Sequence, residues 1–127
     1  MIFKDAINLF FSCVYVAFVG LSSIVFFCIS FLIWLISLVF DPKKIALNLF
    51  ASFWASTYLW CMPLYGVSIS GREKMDMSKS YVIVSNHQSQ LDILLIYRLF
   101  FPMRWISKRE VFYLPVIGWN MRLNGYV

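Results

Sequence analysis

Residues 6–40 contain no charged side chain, and the run is bounded by Asp5 and Asp41. A bilayer-spanning helix needs only about 20 apolar residues, so this stretch has length to spare. As one straight helix it would measure about 52 Å at 1.5 Å per residue, against a hydrocarbon core of about 30 Å. It must therefore tilt, bend or fold back. Gly20-Leu21-Ser22-Ser23 is the favoured place for a bend, because Gly and Ser accompany disrupted backbone bonds in membrane helices. The pattern thus leaves two forms open, a single membrane helix or a hairpin of two short ones. A cleaved signal peptide does not fit, since the apolar run is too long and no small-residue cleavage site follows.

Asp41-Pro42 reads as an N-cap followed by proline at the first helical position, opening a helix that Pro63 would stop. Within it Lys44, Asn48, Ser52 and Ser56 recur every fourth residue, among Phe50, Phe53, Trp54, Tyr58, Leu59 and Trp60. A thin polar stripe on an aromatic helix suits an element in the head-group region. A second spanning helix or a buried core helix fits the same spacing.

From Gly66 the character changes. Val67-Ser68-Ile69-Ser70 alternates, a polar loop follows, and Tyr81-Val82-Ile83-Val84 is a short apolar run, so two strands are expected. Residues 92–101 predict an apolar helix, 103–107 a third strand, and 110–123 a helical stretch interrupted by Pro115 and Gly118. Gly125-Tyr126-Val127 reads as the entry to another strand. Strands alternating with helices predict an α/β fold. The division is a membrane-anchoring and interfacial helical region over residues 1–65, then an incomplete α/β domain over 66–127. Three short strands do not close a core, so the chain is expected to be the N-terminal part of a longer protein.

Composition sharpens this picture. The chain is 61% hydrophobic and 20% aromatic with only 13% charged residues, so much of its surface must face lipid. Its net charge of +5 is scattered among aromatics. Acidic head groups or phosphorylated substrates account for it more economically than nucleic acid, and no nucleic-acid partner is expected. Lys43 and Lys44 follow the apolar run, against Lys4 before it, which puts the remainder on the cytoplasmic side of the inner membrane. Cys13, Cys28 and Cys61 lie apart in apolar stretches and read as inert thiols, buried or lipid-facing. One histidine with scattered carboxylates does not make a metal-ligand set, so no metal is expected.

The candidate chemistry is local. His87, the only histidine, precedes Asp92 across the border between the strand-like run and the apolar helix. On a regular helix residues five apart lie about 140° around the axis, so the two meet only if His87 sits in the loop. Ser89 is a good N-cap with Asp92 three residues on, which starts the helix at Gln90. Asp92 in the first turn then reaches back to one ring nitrogen and leaves the other to take a proton. The same residues also read as a capping box with no catalysis, an acid in the first turn being favoured by the helix dipole.

Ser85-Asn86-His87-Gln88-Ser89-Gln90-Leu91-Asp92 resembles the Asn-His-x-Ser-x-x-Asp signature of the glycerolipid acyltransferases, above all the 1-acylglycerol-3-phosphate (lysophosphatidic acid) acyltransferases. Ser107-Lys108-Arg109-Glu110-Val111 with Leu114-Pro115-Val116-Ile117-Gly118-Trp119 is similar to that family's Lys-x-Glu-Leu element and the Pro-x-x-Gly-Trp that follows. The resemblance runs from about Val67 to the end. The family's downstream Glu-Gly-Thr-Arg motif does not occur within these residues.

The resemblance implies a reaction. His87 would remove the proton of the 2-hydroxyl of lysophosphatidic acid as that oxygen attacks an acyl thioester, with Asp92 steadying the imidazolium. The co-substrate would be acyl-CoA or acyl carrier protein, with no cofactor, and the product phosphatidic acid. Lys108 matches the family's phosphate-handling lysine, and Arg109 is a weaker candidate beside it. Asn86 and Ser89 would shape the loop. Arg104 and Arg122 read as solvated bases. A catalytically inactive, membrane-anchored fragment or interaction module is the alternative.

Overall fold

The computed structural model describes residues 2–62, 66–86 and 88–127, the side chains of 2–4 excepted. Among these residues four α-helices carry the architecture: α1 (Ile2–Phe40), α2 (Ile45–Trp60), α3 (Gln90–Tyr97) and α4 (Ile117–Asn124). Two 3-10 turns, Arg72–Lys74 and Arg109–Tyr113, punctuate the second half.

α1 is one continuous helix of 39 residues, about 58 Å long. Its span Asp5–Phe40 is long and apolar enough to cross a membrane. The bend expected at Gly20–Ser23 does not form. Ser22 Oγ donates to the carbonyl of Phe18 at 2.6 Å, a back-bond that keeps the hydroxyl satisfied inside an unbroken helix. The reversal comes later, in residues 41–44, and α2 runs back antiparallel to α1. Tyr15 and Ser23 meet Tyr58, and Phe26 meets Phe50 and Trp54.

The start of α2 differs from expectation by a turn. It begins at Ile45 after Lys44, whose φ of 55° is left-handed, so Asp41-Pro42 is a turn rather than the helix entry. Asp41 still caps it from a distance, its Oδ2 accepting from Ala46 N–H at 2.8 Å. The helix ends at Trp60, short of Pro63, which itself lies outside the described residues.

The polar stripe of α2 faces inward, not toward head groups. Asn48 is 4% exposed, and Ser52 and Ser56 are fully buried. They share the seam with Ala51 and Ala55 of α2 and with Ser23, Ser30 and Ser37, the buried positions of α1. Small residues at fourfold and sevenfold spacing let two helix backbones approach closely, which is how apolar helices associate where lipid removes any hydrophobic preference. The buried-helix alternative holds because a serine packs well against a serine but covers little aromatic area.

One hydroxyl ties the seam together. Tyr58 Oη donates to the carbonyl of Val19 at 3.2 Å, receives Trp54 Nε1–H at 2.9 Å and pairs with Ser23 Oγ at 2.8 Å. Around it Phe26 packs against Phe50, Phe53, Trp54 and Tyr58. Away from the seam, Leu9, Phe10, Phe11, Val16, Leu21, Val25, Leu32, Ile36 and Phe40 of α1 are exposed. Cys13, Cys28 and Cys61 are free thiols on exposed positions, the outward-facing form of the expectation.

The second half docks on this pair. α3 packs on α2 and α4 on α1, where Phe27 meets Trp119 with ring centroids 5.7 Å apart. Lys44 Nζ donates to the carbonyl of Leu123 at 2.6 Å, placing a cation on the last turn of α4, where the helix dipole favours it. Arg98 at the end of α3 lies over the Trp60 ring at 5.1 Å, a cation–π contact that holds α3 to the end of α2.

The expected strands are not present among the described residues. Residues 67–70 and 81–84 have no ladder alongside them. Val82 and Val84 are 91% and 88% exposed, so nothing covers the β-branched side chains that a sheet would bury. One fragment of pairing does form. Ser107 N–H donates to Val127 O at 2.7 Å and Val127 N–H to Trp105 O at 2.9 Å, the slanted pattern of two parallel strands around Ile106. α4 lies in the connection between them.

Tyr58→Phe is expected to lower stability by about 1–3 kcal/mol, the cost of leaving the buried Trp54 indole N–H without an acceptor. Thermal unfolding in detergent measures it, and an unchanged midpoint would remove the hydroxyl from its central role.

Candidate active site

Asp92 sits in the first turn of α3, as its spacing from Ser89 predicts. Ser89 is the N-cap in extended conformation, its Oγ accepting Leu91 N–H at 3.0 Å. Asp92 Oδ2 reaches back to accept the N–H of Gln88 at 2.6 Å and that of Ser89 at 2.8 Å. The capping box is therefore complete. Charge-assisted bonds to two successive backbone N–H groups fix the carboxylate over the loop that precedes the helix. Gln88 is the immediate neighbour of His87, and His87 itself lies outside the described residues.

α3 ends at Tyr97, earlier than the expected 101, with Phe100 in a left-handed conformation at φ 48° where the chain turns. Its far end is anchored. Tyr97 Oη and Tyr126 Oη are 2.9 Å apart, and Tyr97 also packs on Trp105 at 5.3 Å. Burial pushes the Tyr97 hydroxyl well above its ordinary value and the Tyr126 hydroxyl up to about 12. The helix carrying Asp92 is thereby tied to both segments of the parallel pairing.

Lys108 and Arg109 are exposed at the start of the second 3-10 turn, with Lys108 preceding its first residue. The interrupted helical stretch expected over 110–123 resolves into this turn, a break at Pro115 and Val116, and α4. Val116 takes φ 64°, unusual for a β-branched residue. Gly118 explains the tight fit of turn on helix, since a Cβ there would lie 2.4 Å from the Phe112 carbonyl oxygen. The Pro-x-x-Gly-Trp element is thus a packing device. Its glycine seats the turn bearing Lys108, and its Trp119 meets Phe27 of α1.

The structure places Asp92 on a helix packed on α2, and Lys108 and Arg109 on a turn packed on α4. Asn86 is exposed in the loop, and Ser89 shapes it by capping. Among the described residues no three His, Cys, Asp or Glu side chains cluster to hold a metal. Sequence reasoning missed the Tyr97–Tyr126 pair and the Lys44–Leu123 bond, because both join positions far apart in the chain with no periodic signal.

Residues 66–127 match the family model described as Acyltransferase. They belong to that family. Over 92 residues, 71% of this chain, the sequence is 40% identical to a 1-acyl-sn-glycerol-3-phosphate acyltransferase of Chlamydomonas reinhardtii, covering 27% of that protein. It is equally similar to the chloroplastic 1-acyl-sn-glycerol-3-phosphate acyltransferase LPAT1 of Arabidopsis thaliana, covering 25% of it. A Saccharomyces cerevisiae 1-acyl-sn-glycerol-3-phosphate acyltransferase is 38% identical over 60 residues, 46% of this chain and 20% of that protein. The chain spans about a quarter of the length of the first two relatives. No solved structure matches. The acyltransferase segment begins where the composition changes at Gly66 and contains His87, Asp92, Lys108 and Arg109.

Two outcomes test this geometry. Stability should fall between about pH 10 and pH 12, where tyrosines deprotonate freely in the unfolded chain but not in the buried pair. Alkaline unfolding of Tyr97→Phe should lose part of that dependence, and an identical pH profile would contradict it. Asp92→Ala should destabilise by about 1 kcal/mol through loss of the cap, read as a lower unfolding midpoint, whereas Asp92→Asn, which keeps an acceptor, should recover most of it.

Proposed function

We propose that these residues are the membrane-anchored N-terminal part of a 1-acyl-sn-glycerol-3-phosphate acyltransferase, which moves an acyl group from a thioester to the 2-hydroxyl of lysophosphatidic acid. The observation that carries the reading is the Asp92 carboxylate, held over the residue next to His87 in a segment of acyltransferase sequence. The names of the relatives support the acceptor and the reaction class. Their greater length supports a longer parent protein.

In the reaction, His87 takes the proton of the acceptor hydroxyl as its oxygen forms a bond to the thioester carbonyl carbon. The tetrahedral intermediate collapses, the C–S bond breaks, and the proton on the imidazolium passes to the departing thiolate. A thiol pKa of about 8.5 makes this departure easy. Asp92 stabilises the imidazolium without becoming protonated. Lys108, with Arg109 beside it, meets the acceptor phosphate from an exposed position. Acyl-CoA or acyl carrier protein serves as the donor, with no cofactor.

The α/β character of the domain over residues 66–127, with residues 1–65 as anchor, belongs to the same reading. The parallel pairing of Ile106 with Val127 across α4 supports it. The bases that follow α1 favour a cytoplasmic face on the inner membrane.

His87→Ala in the whole enzyme, assayed by thioester consumption with lysophosphatidic acid in detergent, should lower turnover by about 10²–10⁴-fold while membrane insertion is unchanged. Retained turnover would reject the mechanism.

A further inference from the structure

A shallow cleft of about 80 Å³ opens where the α1–α2 turn meets the segment after α3, lined by Lys43, Asn48, Pro102, Met103 and Arg104. It is too small for an acyl chain, lying well below the about 300–1,000 Å³ of pockets that enclose a drug-sized ligand. None of its residues belongs to the Asp92 loop or the Lys108 turn.

Three features give this cleft a chemistry. Lys43 and Arg104 are both exposed, so two cations with no carboxylate in the lining bring positive charge to one opening. Nearby, Asp41 accepts from Ala46 N–H and Lys44 donates to the Leu123 carbonyl, and neither residue lines the cleft. The inner wall is Asn48, 96% buried, whose Nδ2 donates to the Lys44 carbonyl at 2.8 Å while its Oδ1 has no hydrogen-bond partner. A buried acceptor without a donor is costly. A phosphate answers the charge that the two exposed bases bring to the opening.

The position names the source. Lys43 follows Phe40, where the apolar run of α1 ends with Val39 and Phe40 exposed, so the cleft stands at the border of lipid-facing and polar surface. We propose that the cleft binds the phosphate of an anionic glycerophospholipid head group, as a lipid site separate from the acyl-transfer residues and independent of that reading.

The test equilibrates the detergent-purified full chain with equimolar phosphatidylglycerol and phosphatidylcholine and counts retained lipid by native mass spectrometry. Phosphatidylglycerol should be retained in preference. Lys43→Gln with Arg104→Gln should weaken that preference by about thirtyfold, two bases near a charged surface each contributing. Lys43→Arg with Arg104→Lys, which keeps both charges, should preserve it, as should Arg72→Gln with Lys74→Gln on the exposed 3-10 turn. An unchanged preference in the first pair, or an equal loss in the Arg72 and Lys74 pair, would overturn the site. Release of the lipid by inorganic phosphate would assign the cleft to a free anion and overturn the lipid source.

Discussion

The Tyr58 hydroxyl meets the Val19 carbonyl, and it is the partner of an indole N–H and a serine hydroxyl that would otherwise be stranded in the α1–α2 seam. The seam needs such an arbiter because its close approach comes from serine and alanine, whose small side chains bring helix backbones together but leave hydroxyls facing an apolar interior. Ser22 satisfies its own by bonding back along α1, and Ser52 does the same along α2. With the two helices locked, α2 offers a surface for α3 and α1 offers one for α4. The acyltransferase segment is thus packed onto the α1–α2 pair, not suspended from it.

That dependence sets where Asp92 and Lys108 lie. Asp92 is oriented by backbone N–H groups at a helix start, so its position follows from where α3 lies, and α3 is pinned at its other end by Arg98 on Trp60 and by Tyr97 on Tyr126. Lys108 is oriented through the contact of the Arg109–Tyr113 turn with Gly118. Both rest ultimately on the α1–α2 pair, one through each helix.

Features that depend on neighbours in sequence were legible in the chain. The apolar length of α1, the Ser89–Asp92 capping box and the break at Pro115 each follow from residues within a turn or two of one another. The direction of the Asn48, Ser52 and Ser56 stripe was not, because fourfold spacing gives one face of a helix without saying whether lipid, water or another helix meets it. The bend expected at Gly20–Ser23 does not form either: local composition offered a weak point, but Ser22 bonds back to the Phe18 carbonyl and α1 runs on unbroken. The strand expectation rested on β-branched runs, and such runs form strands only beside a partner ladder. The pairing of Ser107 with Val127 shows the tendency surviving where two segments do meet. As for the candidate site, the sequence offered Asp92 and Lys108 as candidates but not the route by which each is held.

Val82, Val84 and Ile106 stand almost fully exposed, and residues 81–84 have no ladder beside them. In water, such rows template pairing between molecules. Because synthesis proceeds from the N-terminus, the long greasy helix leaves the ribosome well before these rows do. Early capture of that helix by a bilayer would confine each nascent molecule to a surface before its adhesive portion exists, so the order of the two halves along the gene is itself a safeguard against aggregation.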